Sequence, residues 1–349
     1  MDDIPRRKAQ QIALAASGRM RFSRKTTLLD EVELIHDALP ELALNEIDVS
    51  VEILGRRLSA PILVGAMTGG TPEARRINLD LAAAAQAERV GFCLGSQRAM
   101  ARDPGLTETY EVREAAPDVL LAGNLGLVQA ARLGPEGVDR LRAAVGADAI
   151  FLHLNPAMEL AQGDGDRDFR GGLDALRALA RRLGDRLWVK ETGCGLSRAA
   201  ARRLRGAGVR TVDTGGAGGT SWVAVELARP DANGAAGPFR EWGIPTAVSV
   251  VCCAGEGLTT FAGGGLRDGL DLARAIALGA TGGSFAAQLL HAQRAAGSGG
   301  VRAVLREIAD SLRMALALTG SHDLAGLRAA PRVLGPNLTR WLQSLPAGG

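Results

Sequence analysis

The chain has 349 residues, 46% of them hydrophobic, enough for one large domain or two medium ones with a substantial core. Lys plus Arg number 41 and Asp plus Glu 38, a formal net charge of +3. There is no long basic run and only one tyrosine, so neither the electrostatic footprint nor the stacking platform of a nucleic-acid binder is expected. In chain order, the N-terminal "MDDIPRRKAQQIALAASGRM" begins with two acids and lacks a signal peptide's apolar core. It is expected to be a partly helical extension, with residues 1–58 packing on the rest of the chain. No apolar run approaches the ~18 residues of a membrane helix. The four cysteines, Cys93, Cys194, Cys252 and Cys253, show no disulfide or metal spacing and suit reduced thiols in a cytoplasmic protein.

From residue 59 a unit repeats: a short apolar or β-branched run ends in glycine or polar residues, and an Ala/Leu/Arg-rich helical segment comes after it. The runs lie at 60–70, 90–98, 119–126, 149–155, 186–193, 209–219, 258–265 and 280–288. Near-continuous apolar runs suit parallel strands covered on both faces. Eight such units predict an α/β fold, a (β/α)8 TIM barrel over 59–349, which typically needs about 250 residues. The rival, an open doubly wound sheet, wants a glycine fingerprint after its first strand. Here the first strand ends in "MTGG", and the richer glycine clusters come after strands six and seven, where barrels hold a phosphate.

In a barrel, polar groups at strand C-termini converge on one face. Those candidates are Thr68, Ser96, Gln97, Arg98, Asn124, His153, Asn155, Lys190, Glu191, Thr214, Thr220 and glycines 263–265. "VDTGGAGGTSW" (212–222) and "AGGGLRDGLDLARAIALGA" (262–280) could aim backbone N–H groups at a phosphate. Lys190 ends an apolar run, a costly place for a lysine without an anion or a carboxylate partner. His153 and Asn155 stand at i and i+2, so they face the same way, and Glu159 comes four residues later. One carboxylate is no metal site by itself, but Mg²⁺ commonly takes one or two carboxylates plus phosphate oxygens and water. Asp164, Asp166 and Asp168 read as a solvated loop.

Together these residues carry a resemblance. "ALPEL" (38–42), "AMTGG" (66–70), "GSQR" (95–98), "NLG" (124–126), "HLN" with Glu159, "GDRDF" (165–169), "VKETGCGLS" (189–197), "GGAGGTSW" (215–222) and "WGIPTA" (242–247) occur in order, with "LTG" (318–320) and "RWL" (340–342) near the end. The chain resembles the type 2, FMN-dependent isopentenyl diphosphate isomerases from about Arg24 to Leu342. The resemblance implies FMN, Mg²⁺, a prenyl diphosphate substrate, NAD(P)H as flavin reductant, and a homotetramer or octamer. It places FMN on Ala66, Met67, Thr68, Ser96, Asn124, Lys190, Thr220, Gly263, Gly264, Gly265, Arg267 and Ala286. The substrate would meet Arg24, Lys25, Arg98, His153, Asn155 and Met158, with Mg²⁺ on Glu159. Glu226 and His153 would handle protons.

Two positions depart from the family pattern. Where the family has glutamine before the metal glutamate, this chain has Met158. Where it has a substrate-contacting histidine three residues after the N-terminal Arg-Lys, this chain has Leu28. A thioether is a weak acceptor and relays no proton, and losing one oriented proton-transfer partner typically costs about 10²–10⁴ in rate. The expectation is an intact flavin site with a remodelled carbon end. The activity would be the simple isomerisation, or else isomerisation or cyclisation of a larger prenyl substrate; an FMN-binding protein without catalysis is the non-enzymatic alternative. Oxidation of a 2-hydroxy acid on the same barrel would want a histidine after strand six, and a cysteine dehydrogenase a cysteine there; "VDTGGAGGTSW" has neither.

Overall fold

The structure, a computed structural model, describes Leu14 and residues 18–345. The first part of the N-terminal extension therefore lies outside the described residues. Three short strands open the chain: β1 (Val32–Leu34), β2 (Val51–Ile53) and β3 (Arg56–Leu58). Each of the eight apolar runs then contributes a strand: β4 (Ile62–Val64), β5 (Gly91–Cys93), β6 (Leu121–Gly126), β7 (Ala149–Leu154), β8 (Leu187–Glu191), β9 (Thr211–Asp213), β10 (Thr259–Gly263) and β11 (Gly282–Phe285). These pair in parallel in chain order, and β11 closes on β4. The expected (β/α)8 barrel is thus the observed fold. Among the described residues no helix is long and apolar enough to cross a membrane.

Period-two alternation sorts the barrel side chains. Ile62, Val64, Ile150, Leu152, Leu187, Val189 and Val212 join the large core between strands and helices. Leu63, Cys93, Ala122, Phe151, Trp188 and Phe261 fill the lumen instead. Three aromatic rings form its floor: Phe151 and Trp188 meet edge to face at 5.1 Å, and Trp188 and Phe261 lie 6.0 Å apart. The lumen is thus a packed layer, so any ligand must sit above it.

The β2–β3 hairpin closes the lower end. Its turn residues Leu54 and Gly55 have φ of 50° and 71°, as a tight antiparallel turn with right-handed strand twist requires. Ile53 and Leu58 from the hairpin pack with the lumen residues. A further strand, β12 (Arg332–Leu334), pairs antiparallel with β1 and ties the two ends of the chain together.

Candidate functional site

Above the aromatic floor the same alternation delivers a polar tier. One pleat on from Phe151 and Trp188 come His153 and Lys190. The strand register sets His153 opposite Lys190 and Lys190 opposite Asp213. His153 Nδ1 lies 2.8 Å from Asn124 Oδ1 on the neighbouring strand β6. Asn124 is itself held by Gln97, whose Oε1 accepts from the Asn124 backbone N–H at 2.9 Å while its Nε2 donates to Leu141 O at 3.1 Å. Gln97, a candidate by position, is therefore a buried bracket between elements.

The tier opens into two adjoining cavities. The first, about 390 Å³, is bounded by Gly215, Gly216, Gly219, Thr220, Gly263–Gly265, Arg267, Ser284 and Ala286, with Lys190, Glu191 and Asp213 below. The late glycine loops interlock here. Gly264 and Gly265 have φ of 99° and 87°, and a Cβ on either would lie 2.1 Å from Gly216 O or 2.7 Å from Gly219 N. Only bare backbone permits both that conformation and that approach. The second cavity, about 160 Å³, is walled by Ser96, Arg98, Asn124, Gln129, His153, Asn155, Met158, Glu159 and Gln162. Ala66, Met67, Lys190, Thr192 and Trp222 line both, so the two spaces share one seam.

The charges around this space are held by burial and neighbours. Burial pushes the Glu191 carboxyl up to about 8, although the Cys194 and Gly195 backbone N–H groups bond Oε2, the latter at 3.0 Å. Burial also raises Asp213, against the pull of Lys190. Lys190 Nζ donates to Glu191 O at 2.7 Å. Glu159 is buried; its Oε1 accepts from Asn155 Nδ2 and its Oε2 from the Asp166 backbone N–H, both at 2.9 Å. Among the described residues no group of three or more His, Cys, Asp or Glu side chains could hold a metal ion. The donor set present is one carboxylate, which fits a hydrated Mg²⁺ that takes its remaining oxygens from a ligand.

Most of the residues expected at the site are at these two cavities, but several are not. Arg24 and Lys25 line neither. Their backbone N–H groups, with that of Ser23, bond the Glu241 carboxylate, and Lys25 Nζ donates to Gly243 O. Leu28, expected near the substrate, is in the core, 9% exposed and with φ of 56°; of the two departures from the family pattern only Met158 faces the space. Glu226 lies in the helix Trp222–Leu227, buried and paired with Arg229 at 2.7 Å, on neither cavity wall. Thr214 spends its hydroxyl on Gly263 O at 3.1 Å. Asp166 is no freely solvated loop acid: it takes Gln129 Nε2 and Arg132 Nη2, each at 2.9 Å, fixing the loop that carries Glu159's partner N–H. Asp168 pairs with Arg170 and is exposed. Sequence reading missed Asp213, Thr192 and Trp222. Strand alternation counted back from Gly215 would have found Asp213; the seam residues had no local signal.

The residues 2–153 and 173–333 match the family model described as FMN-dependent dehydrogenase. Solved structures agree on the fold alone: a lactate oxidase from Pediococcus acidilactici at TM-score 0.67 and 14% identity, covering 96% of each chain, and a mandelate oxidase variant at TM-score 0.65 and 19% identity, covering 96% of this chain and 100% of that one. An isopentenyl-diphosphate delta-isomerase from Methanothrix thermoacetophila is 42% identical over 94% of this chain and 93% of its own length. One from Stutzerimonas stutzeri is 46% identical over 84% and 87%. The chain belongs to the type 2 isopentenyl diphosphate isomerase family. As a member of that FMN-dependent family it is an isomerase and not one of the oxidases whose barrel it shares, in keeping with the absence of histidine from the loop after β9. The cavity of this isomerase also fits the cofactor. The glycine cradle lets a ligand approach bare backbone along one wall, and the Lys190 side chain stands by the seam. Three buried side-chain atoms at the barrel mouth, Thr68 Oγ1, Arg98 Nε and Thr192 Oγ1, have no hydrogen-bond partner within the protein. Buried polar atoms left this way in a native protein call for a ligand or water to complete them.

Proposed function

We propose that the protein interconverts isopentenyl and dimethylallyl diphosphate, with FMN lying from the late-glycine cradle across the seam. When bound and reduced, FMN supplies an electron-rich ring that can exchange a proton with the substrate's double bond and offset the positive charge developing beside it. The chain's own residues do the rest. Arg98, His153 and Asn155 would grip the diphosphate, with Arg24 and Lys25 able to join once freed from Glu241 and Gly243. Glu159 would hold Mg²⁺ against the diphosphate oxygens. Ala66, Met67, Thr68, Ser96, Asn124, Thr220, Gly263–Gly265, Arg267 and Ala286 would hold the cofactor, and Lys190 would face its anionic locus. His153, oriented through Asn124, would hold a proton beside the reacting carbons. Glu226, paired with Arg229 on the helix that carries Trp222, would share the handling of protons with His153. NAD(P)H would keep the flavin reduced, and the protein would assemble as a homotetramer or octamer. Residues 1–58 would serve as an extension packed on the 59–349 barrel.

The observation that carries this reading is the joined pair of cavities: a glycine-lined space leads, through one seam with a lysine on it, to a His/Asn/Glu pocket. The test is incubation of the reduced, FMN-loaded enzyme with isopentenyl diphosphate and Mg²⁺ in D₂O. Deuterium enters the substrate pool and dimethylallyl diphosphate accumulates; neither occurring would end the reading. One observation favours a second version. Met158 puts a thioether on the cavity wall where the family has an amide, removing one hydrogen-bonding group from an otherwise polar wall. A panel of prenyl diphosphates of increasing length decides: preference for a longer one, reversed toward isopentenyl diphosphate by Met158→Gln, selects a remodelled isomerase or cyclase, whereas turnover of none leaves an FMN-binding protein only.

A further inference from the structure

A planar ring that extends from the first cavity into the second must pass the five shared residues Ala66, Met67, Lys190, Thr192 and Trp222. Two of these come from one strand end and carry flexible hydrogen-bonding side chains. Lys190 has a partner in Glu191 O. Thr192 has none for its Oγ1, which is buried. β8 ends at Glu191 and the chain bends from Thr192 to Cys194, with Gly193 N–H bonding Gly215 O at 2.7 Å. Thr192, two residues beyond Lys190, lines both cavities as Lys190 does. An unsatisfied buried hydroxyl costs free energy, and valine of the same shape would avoid that cost. Rotation of χ1 exchanges hydroxyl and methyl between neighbouring staggered positions, so the hydroxyl can reach the seam without backbone movement.

We infer that Thr192 is a further cofactor-positioning residue, whose hydroxyl bonds the polar edge of the flavin ring where the ring crosses from one cavity to the other. This rests on the reading that FMN spans the seam. A role in packing alone predicts the opposite pattern under substitution, because the methyl groups of valine would preserve it.

The experiment compares wild type, Thr192→Val and Thr192→Ser, all stripped of flavin. Three things are measured: the melting temperature of the flavin-free protein, the Kd for FMN by quenching of flavin fluorescence, and the absorption spectrum of the bound oxidised flavin. Thr192→Val is expected to melt at or above the wild-type temperature. It should bind FMN about threefold to tenfold more weakly, as expected for one lost hydrogen bond, with a displaced flavin absorption band. Thr192→Ser is expected to keep affinity and spectrum near wild type. Wild-type affinity and an unchanged spectrum in Thr192→Val would overturn the inference while leaving the flavin reading intact. So would a lower melting temperature of flavin-free Thr192→Val with unchanged FMN binding, which would make the hydroxyl structural. A wild-type protein that binds no FMN would overturn both.

Discussion

At the residue scale the polar tier is a set of charges whose ionisation the lumen controls. Glu191 illustrates the sign. Its carboxyl titrates near 8 in the folded chain because burial disfavours the anion, against an ordinary value of 4.5. Below the ordinary value both folded and unfolded chains hold the proton. Between 4.5 and about 8 only the folded chain keeps it, so raising the pH favours unfolding across that window and no further above it. The melting temperature of the flavin-free protein should fall by several degrees as pH rises through this range. Glu191→Gln, which keeps an acceptor for the Cys194 and Gly195 N–H groups, should flatten that part of the slope; an unchanged profile would show that the carboxyl is ionised throughout. The position of Glu191 at a strand end was legible in the sequence. Its ionisation was not, because burial and the turn over Gly195 exist only after folding.

At the element scale the segment Ser23–Lys25 is the instructive case. The resemblance marks the Arg24–Lys25 pair for an anion; in the structure their backbone N–H groups bond the Glu241 carboxylate and Lys25 Nζ meets Gly243 O. The Glu241 carboxylate, opposed by burial but held by backbone N–H groups of Ser23, Lys25 and Arg24, titrates near 2. This contribution is complete above the ordinary value of 4.5 and disappears as pH falls toward 2. Glu241→Ala imitates the acid state at neutral pH by removing the acceptor. Tryptic cleavage after Arg24 and Lys25 should then accelerate about threefold to tenfold, since cleavage of an opened segment tracks its open population. Equal rates in the two proteins would mean that other contacts secure the segment. The same segment carries Leu28 off both cavity walls. By Leu28 the chain has already turned from the docked pair into the core, where a leucine is favoured over a polar ring.

At the scale of the whole molecule the barrel rests on its lumen. Trp188 is fully buried between Phe151 and Phe261, and its Nε1 donates to Asp185 O at 3.0 Å. Trp188→Ala should lower stability by about 3–5 kcal/mol, read as a lower urea midpoint with an unchanged slope. A loss under about 1 kcal/mol would mean the lumen collapses around the gap. The architecture was legible because its cause is periodic. Eight apolar runs of strand length, each covered on both faces, leave few alternatives once the richer glycine clusters fall after strands six and seven and not after the first. By itself the sequence determined the barrel, its mouth, the glycine cradle and the His153–Asn155 face, since each arises from spacing along one strand or loop. Tertiary structure alone decided that Asp213 joins His153 and Lys190 in one tier, that Thr192 and Trp222 form the seam, and that Glu226 and the Arg24–Lys25 pair stand off the walls. Those facts depend on register between strands and on which charge finds which partner across more than two hundred residues, and neither is written in any local pattern.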